Sequence, residues 1–438
     1  MDYSQTLNYL NSLGNEVLTA KYGLENTHTL LERLARPDHG LKCVLVGGTN
    51  GKGSVAAMID SIARAAGHKT ALYTSPHLVN IEERIHVDGR EIAPEDFARI
   101  ATRVRLAAES LVEEGQLPAC PTFFEQMTAI ALCYFNEAAV DFAVLEVGIG
   151  GRLDATNAVD RMLSVITSID YDHQQLLGNT IFDITNEKAA IIHSGSRAVI
   201  GRQRYQIATD VLMRRCLTEH ALPVFANEPM EITIGETGRM TFDYESASGH
   251  YSHVLLGLRG RHQAENAAAA IEAAEVLTDL GFVIPREAII KGLRQAYWPG
   301  RLEIIEDRPA LLLDGAHNPA GARALRAYIE ETRRGHVTLV FGAMNDKDIE
   351  GMTSELFESF DCIVLTQVPN SRSASTARIG KLALETSRNV IFTETVPQAL
   401  SWARSVTPPT GLICVAGSLY LVGEVKRLLT EEDRQPQV

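Results

Sequence analysis

The sequence lacks the features that mark exported and membrane-spanning proteins. Its six cysteines are scattered without a Cys-x-x-Cys pair, and most lie in apolar runs, which is typical of buried free thiols in a reducing compartment. No uninterrupted apolar run approaches the length of a membrane span. The first residues show no basic segment followed by an apolar stretch, so no signal peptide is indicated. We therefore expect a cytoplasmic protein with no membrane partner.

The sequence also lacks a surplus of basic residues. Its formal net charge is −14, whereas nucleic acids and membrane surfaces are bound by basic faces. No nucleic-acid partner is expected, and an anionic substrate would need lysines and arginines placed locally. A hydrophobic content of 45% with 22% charged residues is typical of a globular protein with sizeable cores. The length of 438 residues predicts two or three domains.

What the sequence does contain is a glycine-rich loop between a predicted strand at 43–46 and a predicted helix at 55–66. The loop, 47–54, reads Gly-Gly-Thr-Asn-Gly-Lys-Gly-Ser. Glycines let backbone N–H groups approach a phosphate, the helix start adds partial positive charge, and a lysine reaches the outer phosphates. Gly53 follows Lys52 where the usual pattern has Ser or Thr, so a simple tight turn is the alternative.

The order of predicted elements indicates an α/β fold. Strands alternate with helices up to about residue 200, which favours a doubly wound sheet with helices on both faces. Short β-like pieces at about 222–258 indicate a small antiparallel insert, and Pro299-Gly300 marks a boundary. Beyond it, predicted strands at 310–314, 337–341, 361–366 and 411–415 alternate with helices. We expect two domains, 1–299 and 300–438, the second being the smaller α/β unit.

Two polar residues follow predicted strands at one edge of the first sheet. Glu146 lies near the end of the buried strand 141–147, and His173 comes just after the strand 161–169. Ligands bind at this edge in open α/β sheets, and an acid near a phosphate loop is typical of Mg²⁺ binding. The alternatives are a capped strand end for Glu146 and a structural role for His173.

Further candidates lie later in the chain. Lys188 follows Glu187 on a helix, and a solvated charge pair is the simplest interpretation of that spacing. Asp314 ends another apolar strand and is followed by Gly-Ala-His317-Asn-Pro, which is also compatible with an ordinary turn and helix start. Arg301 is placed to reach a nucleotide from the hinge. The residues alone indicate an enzyme that hydrolyses ATP or GTP between two α/β domains.

A resemblance to a known family adds the substrate class. Matching stretches follow one another through nearly the whole chain: 48–54, Thr-Ser-Pro-His-Leu at 74–78, 83–85, Thr-Phe-Phe-Glu at 122–125, 145–157, Asp-His at 172–173, Glu-Lys-Ala at 187–189, Pro-Gly-Arg at 299–301 and 314–319. The chain resembles the folylpolyglutamate synthase and dihydrofolate synthase family of the muramyl ligase superfamily, in which a glycine follows the loop lysine. The resemblance implies a P-loop domain like the muramyl ligase central domain and a Rossmann-like C-terminal domain.

The resemblance also implies roles for individual residues. The ATP phosphates would be held by Thr49, Asn50, Gly51, Lys52, Gly53 and Ser54, and the rest of the nucleotide by Asn266, Arg301 and Asp314. Ser75, Glu146 and His173 would bind Mg²⁺, with two ions expected. Lys188 would carry a CO₂-derived carbamate, an anion that suits a site near two Mg²⁺ ions better than a free ammonium does. Lys52, Lys188 and His317 would be the catalytic residues, with His317 near the transferred phosphoryl group and the incoming glutamate.

The implied activity is ATP-dependent amide formation through an acyl phosphate. L-Glutamate would be added to dihydropteroate and to reduced folates, with the pterin pocket formed by Thr122, Phe123, Phe124, Leu153, Asp154 and Ala155. A pterin ring is expected to stack on Phe124 while Asp154 accepts hydrogen bonds from its amino-amide edge. The alternatives are a monofunctional folylpolyglutamate synthase, a ligase of cell-wall precursors and an ATP-binding regulatory protein without turnover. A monomer is expected.

Overall fold

The computed structural model describes residues 1–14, 23–305, 308–386 and 389–434, and its first sheet contains eight of the described strands. These strands are β1 (Cys43–Gly47), β2 (Thr70–Tyr73), β3 (Ile85–Val87), β4 (Arg90–Glu91), β5 (Phe142–Glu146), β6 (Leu163–Ile166), β7 (Arg197–Ile200) and β8 (Leu222–Phe225). They are ordered β4-β3-β2-β5-β1-β6-β7-β8, and only the β2–β3 and β3–β4 pairs are antiparallel. Strand β1, which leads into the glycine-rich loop, is therefore central.

Helices cover both faces of this sheet, as its apolar residues require. Those up to the second sheet are α1 (Tyr3–Ser12), α2 (Glu25–Arg33), α3 (Lys52–Ala65), α4 (Pro94–Glu113), α5 (Phe123–Ala138), α6 (Gln174–Leu177), α7 (Ile181–Ala189) and α8 (Gln206–Thr218). Alternate β1 side chains enter different cores: Leu45 packs in the cluster with α4 and α5, and Val44 packs in the cluster with α3. The strand is buried on both faces, which confirms the predicted doubly wound α/β class.

Two further sheets follow along the chain. The second is antiparallel, ordered β11-β10-β9, and contains β9 (Met230–Ile234), β10 (Arg239–Ser246) and β11 (Gly249–Arg259). It packs with α9 (His262–Asp279) and α10 (Arg286–Gln295) onto the same core as α3. The third has six described strands, β12 (Glu303–Ile305), β13 (Ala310–Leu313), β14 (Val337–Phe341), β15 (Cys362–Leu365), β16 (Val390–Phe392) and β17 (Leu412–Ala416).

The third sheet has its own helices and its own cores. The helices are α11 (Pro319–Thr332), α12 (Ile349–Leu356), α13 (Thr376–Thr386), α14 (Val396–Val406) and α15 (Leu419–Arg434). The strand order is β12-β13-β17-β14-β15-β16, and only β12 is antiparallel to its neighbour. We call the first two sheets and their helices the first unit, and the third sheet with its helices the second unit.

Several predicted boundaries differ from the structure. The insert predicted at 222–258 begins too early, because β8 pairs in parallel with β7 at the edge of the first sheet. Strands β12 and β16 and the β3–β4 hairpin were not predicted. Each of them has only two or three residues, which is too short to show an alternation in the sequence. None of the described helices has the length and apolar character needed to cross a membrane.

Candidate active site between the two units

The glycine-rich loop joins β1 to α3 and is held by the segment after β6. The amides of Thr49 and Asn50 donate to the main-chain oxygen of Ser168 at 2.8 and 3.3 Å. Gly48 has a φ of +139°, and a Cβ there would lie 2.0 Å from the hydroxyl of Thr167. Gly51 has a φ of +85° and directly precedes α3. A side chain at either glycine is excluded by conformation and by close approach, which is what a phosphate-binding loop requires.

The loop lysine is held inside the site. Its Nζ donates to the main-chain oxygen of Thr49 at 3.2 Å. Burial lowers the pKa of the Lys52 ammonium, while the nearby carboxylates of Glu146 and Asp172 act in the opposite direction. A cation close to two carboxylates and at the start of α3 is suited to neutralising phosphate oxygens.

Glu146 ends β5, beside the loop, and is buried. Its Oε2 accepts a hydrogen bond from the amide of Ser75 at 3.1 Å. Burial raises the pKa of the Glu146 carboxyl, against the opposing charge of Lys52. The loop bearing Ser75 is itself fixed by Glu83, which accepts hydrogen bonds from the amides of Leu78, Val79 and Asn80.

His173 and Asp172 lie after β6 and face the second unit. Burial lowers the pKa of His173 to about 3, so its ring is neutral. Asp172 accepts from Lys347 at 2.7 Å and from the amide group of Asn318 at 3.1 Å. Burial alone would raise the pKa of the Asp172 carboxyl, but a hydrogen bond from His317 and the charge of Lys347 hold it well below its usual range. Among the described residues, no group of three His, Cys, Asp or Glu side chains is assembled around a point.

Lys188 on α7 is buried beneath the glycine-rich loop, so the interpretation as a solvated charge pair with Glu187 is wrong. Its Nζ donates to the main-chain oxygen of Gly48 at 2.8 Å. Burial, with a contribution from the charge of Lys52, lowers the pKa of Lys188 to about 7. A substantial fraction of its amine is therefore neutral near pH 7, which is the form that acts as a nucleophile.

The second unit closes the site with Arg301, Asp314 and His317. Asp314 is buried after β13, and its carboxylate accepts from the amides of Leu302 and Ala316 at 2.9 Å each. Burial raises the pKa of this carboxyl, opposed by the charge of Arg301. The Nδ1–H of His317 donates to the main-chain oxygen of Gly315 at 2.8 Å, since a carbonyl oxygen can only accept.

The residues predicted to form a pterin pocket lie at the start of α5 and in the segment after β5. Thr122 caps α5, with its hydroxyl accepting from the amide of Glu125 at 3.3 Å. The ring of Phe124 lines the cavity and lies 6.0 Å from that of Tyr73. Phe123 is different: it is buried in the first unit's core with the guanidinium of Arg84 above its ring, and it is not among the residues that line the cavity.

Asp154 is more heavily hydrogen-bonded than expected. One carboxylate oxygen accepts from the amides of Gly148 and Ile149 at 3.0 and 3.1 Å. The other accepts from the amide and the hydroxyl of Thr156 at 3.0 and 2.6 Å. Each oxygen already uses two acceptor positions, so Asp154 organises the loop 148–156 in this structure. A pterin contact from this carboxylate would require one of these bonds to be exchanged.

A single cavity of about 460 Å³ brings these groups together. Its lining includes every predicted site residue except Phe123. It also includes Asp172 and Lys347, for which no role was predicted. Lys347 follows β14 in the polar run Asn-Asp-Lys-Asp at 345–348, so the signal that singled out Asp314 was also present there.

Comparison with known proteins agrees with this geometry. Residues 46–274 match the family described as "Mur ligase middle domain", and residues 300–419 match "Mur ligase, glutamate ligase domain". The Bacillus subtilis dihydrofolate synthase/folylpolyglutamate synthase is 34% identical over 93% of this chain and 95% of its own length. A Haloferax volcanii relative, a probable bifunctional folylpolyglutamate synthase/dihydropteroate synthase, is also 34% identical, and the alignment spans 51% of its length.

Solved structures show the same fold over whole chains. A Mycobacterium tuberculosis folylpolyglutamate synthase complexed with ADP is 30% identical, with a TM-score of 0.90 and 99% of each chain covered. An Escherichia coli structure, described as FolC in complex with DHPP and ADP, is 29% identical with a TM-score of 0.87 and the same coverage. These matches show that this chain belongs to the folylpolyglutamate synthase and dihydrofolate synthase family of Mur ligases.

Proposed function

We propose that this chain is an ATP-dependent ligase that adds L-glutamate to dihydropteroate and to reduced folates through an acyl phosphate. The observation that carries the proposal is the convergence of the loop lysine Lys52, the buried acid Glu146 and the buried amine Lys188 on one cavity between the two units. A cation for phosphates and a carboxylate for a metal are groups that phosphoryl transfer uses, and Lys188 adds a buried amine whose charge can change.

We assign ATP to the end of the cavity formed by the glycine-rich loop. The phosphates would contact Thr49, Asn50, Gly51, Lys52, Gly53 and Ser54. The nucleoside would contact Asn266, Arg301 and Asp314. In support, Asn266 lies directly over the loop, since a Cβ on Gly51 would be 2.3 Å from its side-chain oxygen. The start of α3 and Lys52 supply the positive charge that this otherwise acidic protein needs for an anionic ligand.

We assign Mg²⁺ to Ser75, Glu146 and His173, with two ions expected. Carboxylate and hydroxyl oxygens are the ligands that Mg²⁺ prefers in proteins, and the neutral ring of His173 would bind the ion once the contact of its Nε2 with the ammonium of Lys347, at 3.4 Å, is exchanged. Glu146 is a buried acid whose Oε2 accepts from the amide of Ser75, so a cation at its other oxygen would offset its burial. When bound, Mg²⁺ would neutralise charge on the phosphate oxygens during transfer.

We also propose that Lys188 carries a carbamate derived from CO₂. Carbamate formation requires a neutral amine, and a pKa of about 7 supplies one under neutral conditions. The modification would replace a cation beside Lys52 with an anion and so remove a repulsion in a buried site. The amine reaches the main-chain oxygen of Gly48, so the modified group would lie directly under the phosphate loop.

The acceptor would bind between Phe124 and the loop 148–156, with Thr122, Leu153, Asp154 and Ala155 also in contact. Phe123 supports this pocket from the core rather than from its surface. The ring of Phe124 offers an apolar face for a pterin. Residues 148–156 are held in shape by the carboxylate of Asp154, which keeps the pocket formed before a substrate arrives.

The chemistry follows from the position of each group. A substrate carboxylate is a poor acyl donor, so it first attacks the γ-phosphorus and forms an acyl phosphate and ADP. Lys52 offsets the charge that develops on the phosphate oxygens. The glutamate amine then attacks the acyl carbon beside His317, and the tetrahedral intermediate collapses to an amide and phosphate. Closure of the two units excludes the water that would otherwise hydrolyse the acyl phosphate.

We further propose that the chain acts as a cytoplasmic monomer with two domains, 1–299 and 300–438. The domain division is supported by the separate cores of the two units and by the Pro299-Gly300 turn between them. Both proposals can be checked by sedimentation of the purified chain and by limited proteolysis near residue 300.

ADP release measured with dihydropteroate, tetrahydrofolate or a cell-wall precursor, each with and without glutamate, tests the function. We expect glutamate-dependent ADP release with the first two acceptors. Release with tetrahydrofolate alone would indicate a monofunctional folylpolyglutamate synthase, and release with the cell-wall precursor alone would contradict the proposal. Absence of turnover with all three, despite ATP binding, would indicate a regulatory protein.

A further inference from the structure

Arg323 and Asp170 form an ion pair across the cleft, outside the cavity that the proposed function uses. Arg323 lies on α11 of the second unit, and its Nη2 is 3.1 Å from Oδ2 of Asp170, on the segment after β6 of the first unit. The side chains are 30% and 12% exposed. Neither residue is among those that line the cavity. The pair is partly shielded from solvent, so salt screens it less than an open surface pair.

Asp170 also holds a residue of the glycine-rich loop. Its amide donates to the hydroxyl of Thr49 at 3.1 Å, and that hydroxyl donates to the main-chain oxygen of Asp170 at 3.0 Å. The second carboxylate oxygen of Asp170 accepts from the amide of Tyr171 and from the hydroxyl of Tyr205. The carboxylate of Asp170 therefore holds its own segment in place, and the main chain of that segment holds the hydroxyl of Thr49. Arg323 pairs with the other carboxylate oxygen, Oδ2.

A second arginine lies near Asp170 but is more distant and more exposed than Arg323. Arg204, from the first unit, is 3.8 Å from Oδ2 and 57% exposed. The start of α11 makes a second contact with the glycine-rich loop, because Asn318 donates to the side-chain oxygen of Asn50 at 3.0 Å. One end of this helix therefore touches the loop directly through Asn318 and indirectly through Arg323.

We infer that Arg323 and Asp170 are positioning residues for nucleotide binding, through which docking of the second unit sets the position of Thr49. The second unit thereby acts on the nucleotide site through a group that the nucleotide does not touch. The inference rests on the proposed binding of ATP at the glycine-rich loop. It assigns a role to two residues that neither the sequence patterns nor the matched family descriptions single out.

The test measures the dissociation constant of AMPPCP, an ATP analogue that is not hydrolysed, for the whole chain by calorimetry. Arg323→Gln and Asp170→Asn are each expected to weaken binding by about fivefold or more. The dissociation constant of the double variant is expected not to exceed the larger of the two single-variant values, because both substitutions remove the same ion pair. Thr49→Val combined with Arg323→Gln is likewise expected to be non-multiplicative. The KM for ATP should rise in each variant, with a smaller change in kcat at saturating ATP.

Arg326→Gln is the matched control. Arg326 is one turn further along α11 and pairs with Glu355 at 2.8 Å inside the second unit, while Arg323 also reaches Glu355 at 3.4 Å. The control removes an arginine and a Glu355 contact without touching the cleft, so wild-type AMPPCP binding is expected. Arg323→Lys, which keeps the charge, should recover part of the affinity. Thermal unfolding of each variant separates a folding defect from a binding defect.

Three outcomes would overturn the inference. One is wild-type affinity in Arg323→Gln, another is an equal loss in Arg326→Gln, and the third is multiplicative losses in the double variant. If Arg323→Gln fails to fold, Asp170→Asn alone tests the inference. The side-chain oxygen of the asparagine can still accept from the amide of Tyr171 and the hydroxyl of Tyr205. Failure of the wild-type chain to bind AMPPCP would instead overturn the proposed function and this inference with it.

Discussion

The ammonium of Lys188 donates a hydrogen bond to the main-chain oxygen of Gly48 at 2.8 Å, so a helix lysine is attached to the loop assigned to the phosphates. These residues are 140 positions apart in the chain. Their contact places a buried amine with a lowered pKa at the centre of the site. It also makes the state of this amine, cation or carbamate, decisive for the charge around the phosphates.

Activity should depend on CO₂ and on pH through Lys188. The pKa of Lys188 is lowered from 10.5 to about 7, so the neutral amine that reacts with CO₂ disappears as the pH falls below about 7. We expect kcat to fall below that pH and to recover partly when bicarbonate is added. Lys188→Gln should lose about a hundredfold of activity or more and gain nothing from bicarbonate. Near-wild-type turnover of Lys188→Gln would contradict the carbamate.

Removal of either charged group next to the loop should abolish turnover and leave the fold intact. Lys52→Ala and Glu146→Ala are expected to lower glutamate-dependent ADP formation by about a thousandfold. Neither should lower the thermal midpoint much, because burial already opposes the charged form of both side chains. Lys69→Ala serves as the control, since Lys69 is exposed and its ammonium donates to the main-chain oxygen of Ala138. Substantial activity in Lys52→Ala or Glu146→Ala would remove the site assignment.

Two adjacent phenylalanines should behave differently. Phe124→Ala is expected to raise the KM for dihydropteroate by about threefold to tenfold with little change in the KM for ATP, because a ring in the cavity wall is lost. Phe123→Ala should instead lower the free energy of unfolding by about 3–5 kcal/mol, because that ring is 7% exposed in the core. Steady-state kinetics and urea unfolding of both variants check this. The same stability loss in both would show that Phe124 is also a core residue.

The contact of the Ser75 loop with the second unit should be sensitive to one added methyl group. A Cβ on Gly423 of α15 would lie 2.0 Å from the main-chain oxygen of Leu78, which is backbone and cannot easily move. We expect Gly423→Ala to lower the free energy of unfolding by about 1–3 kcal/mol and to reduce ADP formation. Gly235→Ala is the control, since its nearest neighbour would be 3.5 Å away. Equal stability of the two variants would contradict this packing.

Much of the site could be predicted because its signals are local. A strand, a glycine-rich loop and a helix in succession predict the position of Lys52 relative to the sheet. Glu146 ends a strand that pairs directly with β1, and parallel pairing places the ends of both at one edge. The roles of Ser75, Lys188 and the pterin-pocket residues came from family resemblance, since spacing alone indicated a solvated pair for Lys188.

Neighbouring residues show where local signals stop. Phe123 and Phe124 are the same residue type in consecutive positions at the start of α5, yet one is in the core and the other lines the cavity. Consecutive helix residues point about 100° apart, and only the packing of α5 decides which one faces the core. The hydrogen bonds that saturate Asp154 were equally invisible, because they depend on how the loop 148–156 turns back on itself.

The sequence by itself determined the α/β class, the glycine-rich loop and the acid at the end of β5, because each depends on residues close together in the chain. Tertiary structure decided the pairs that close the cleft. Arg323 meets Asp170 across 153 positions, and Lys347 meets Asp172 across 175. Charges this far apart in the chain have no mutual pattern to detect. They meet only because two separately cored units dock with the ends of their strands facing each other, and that docking is a property of packed surfaces.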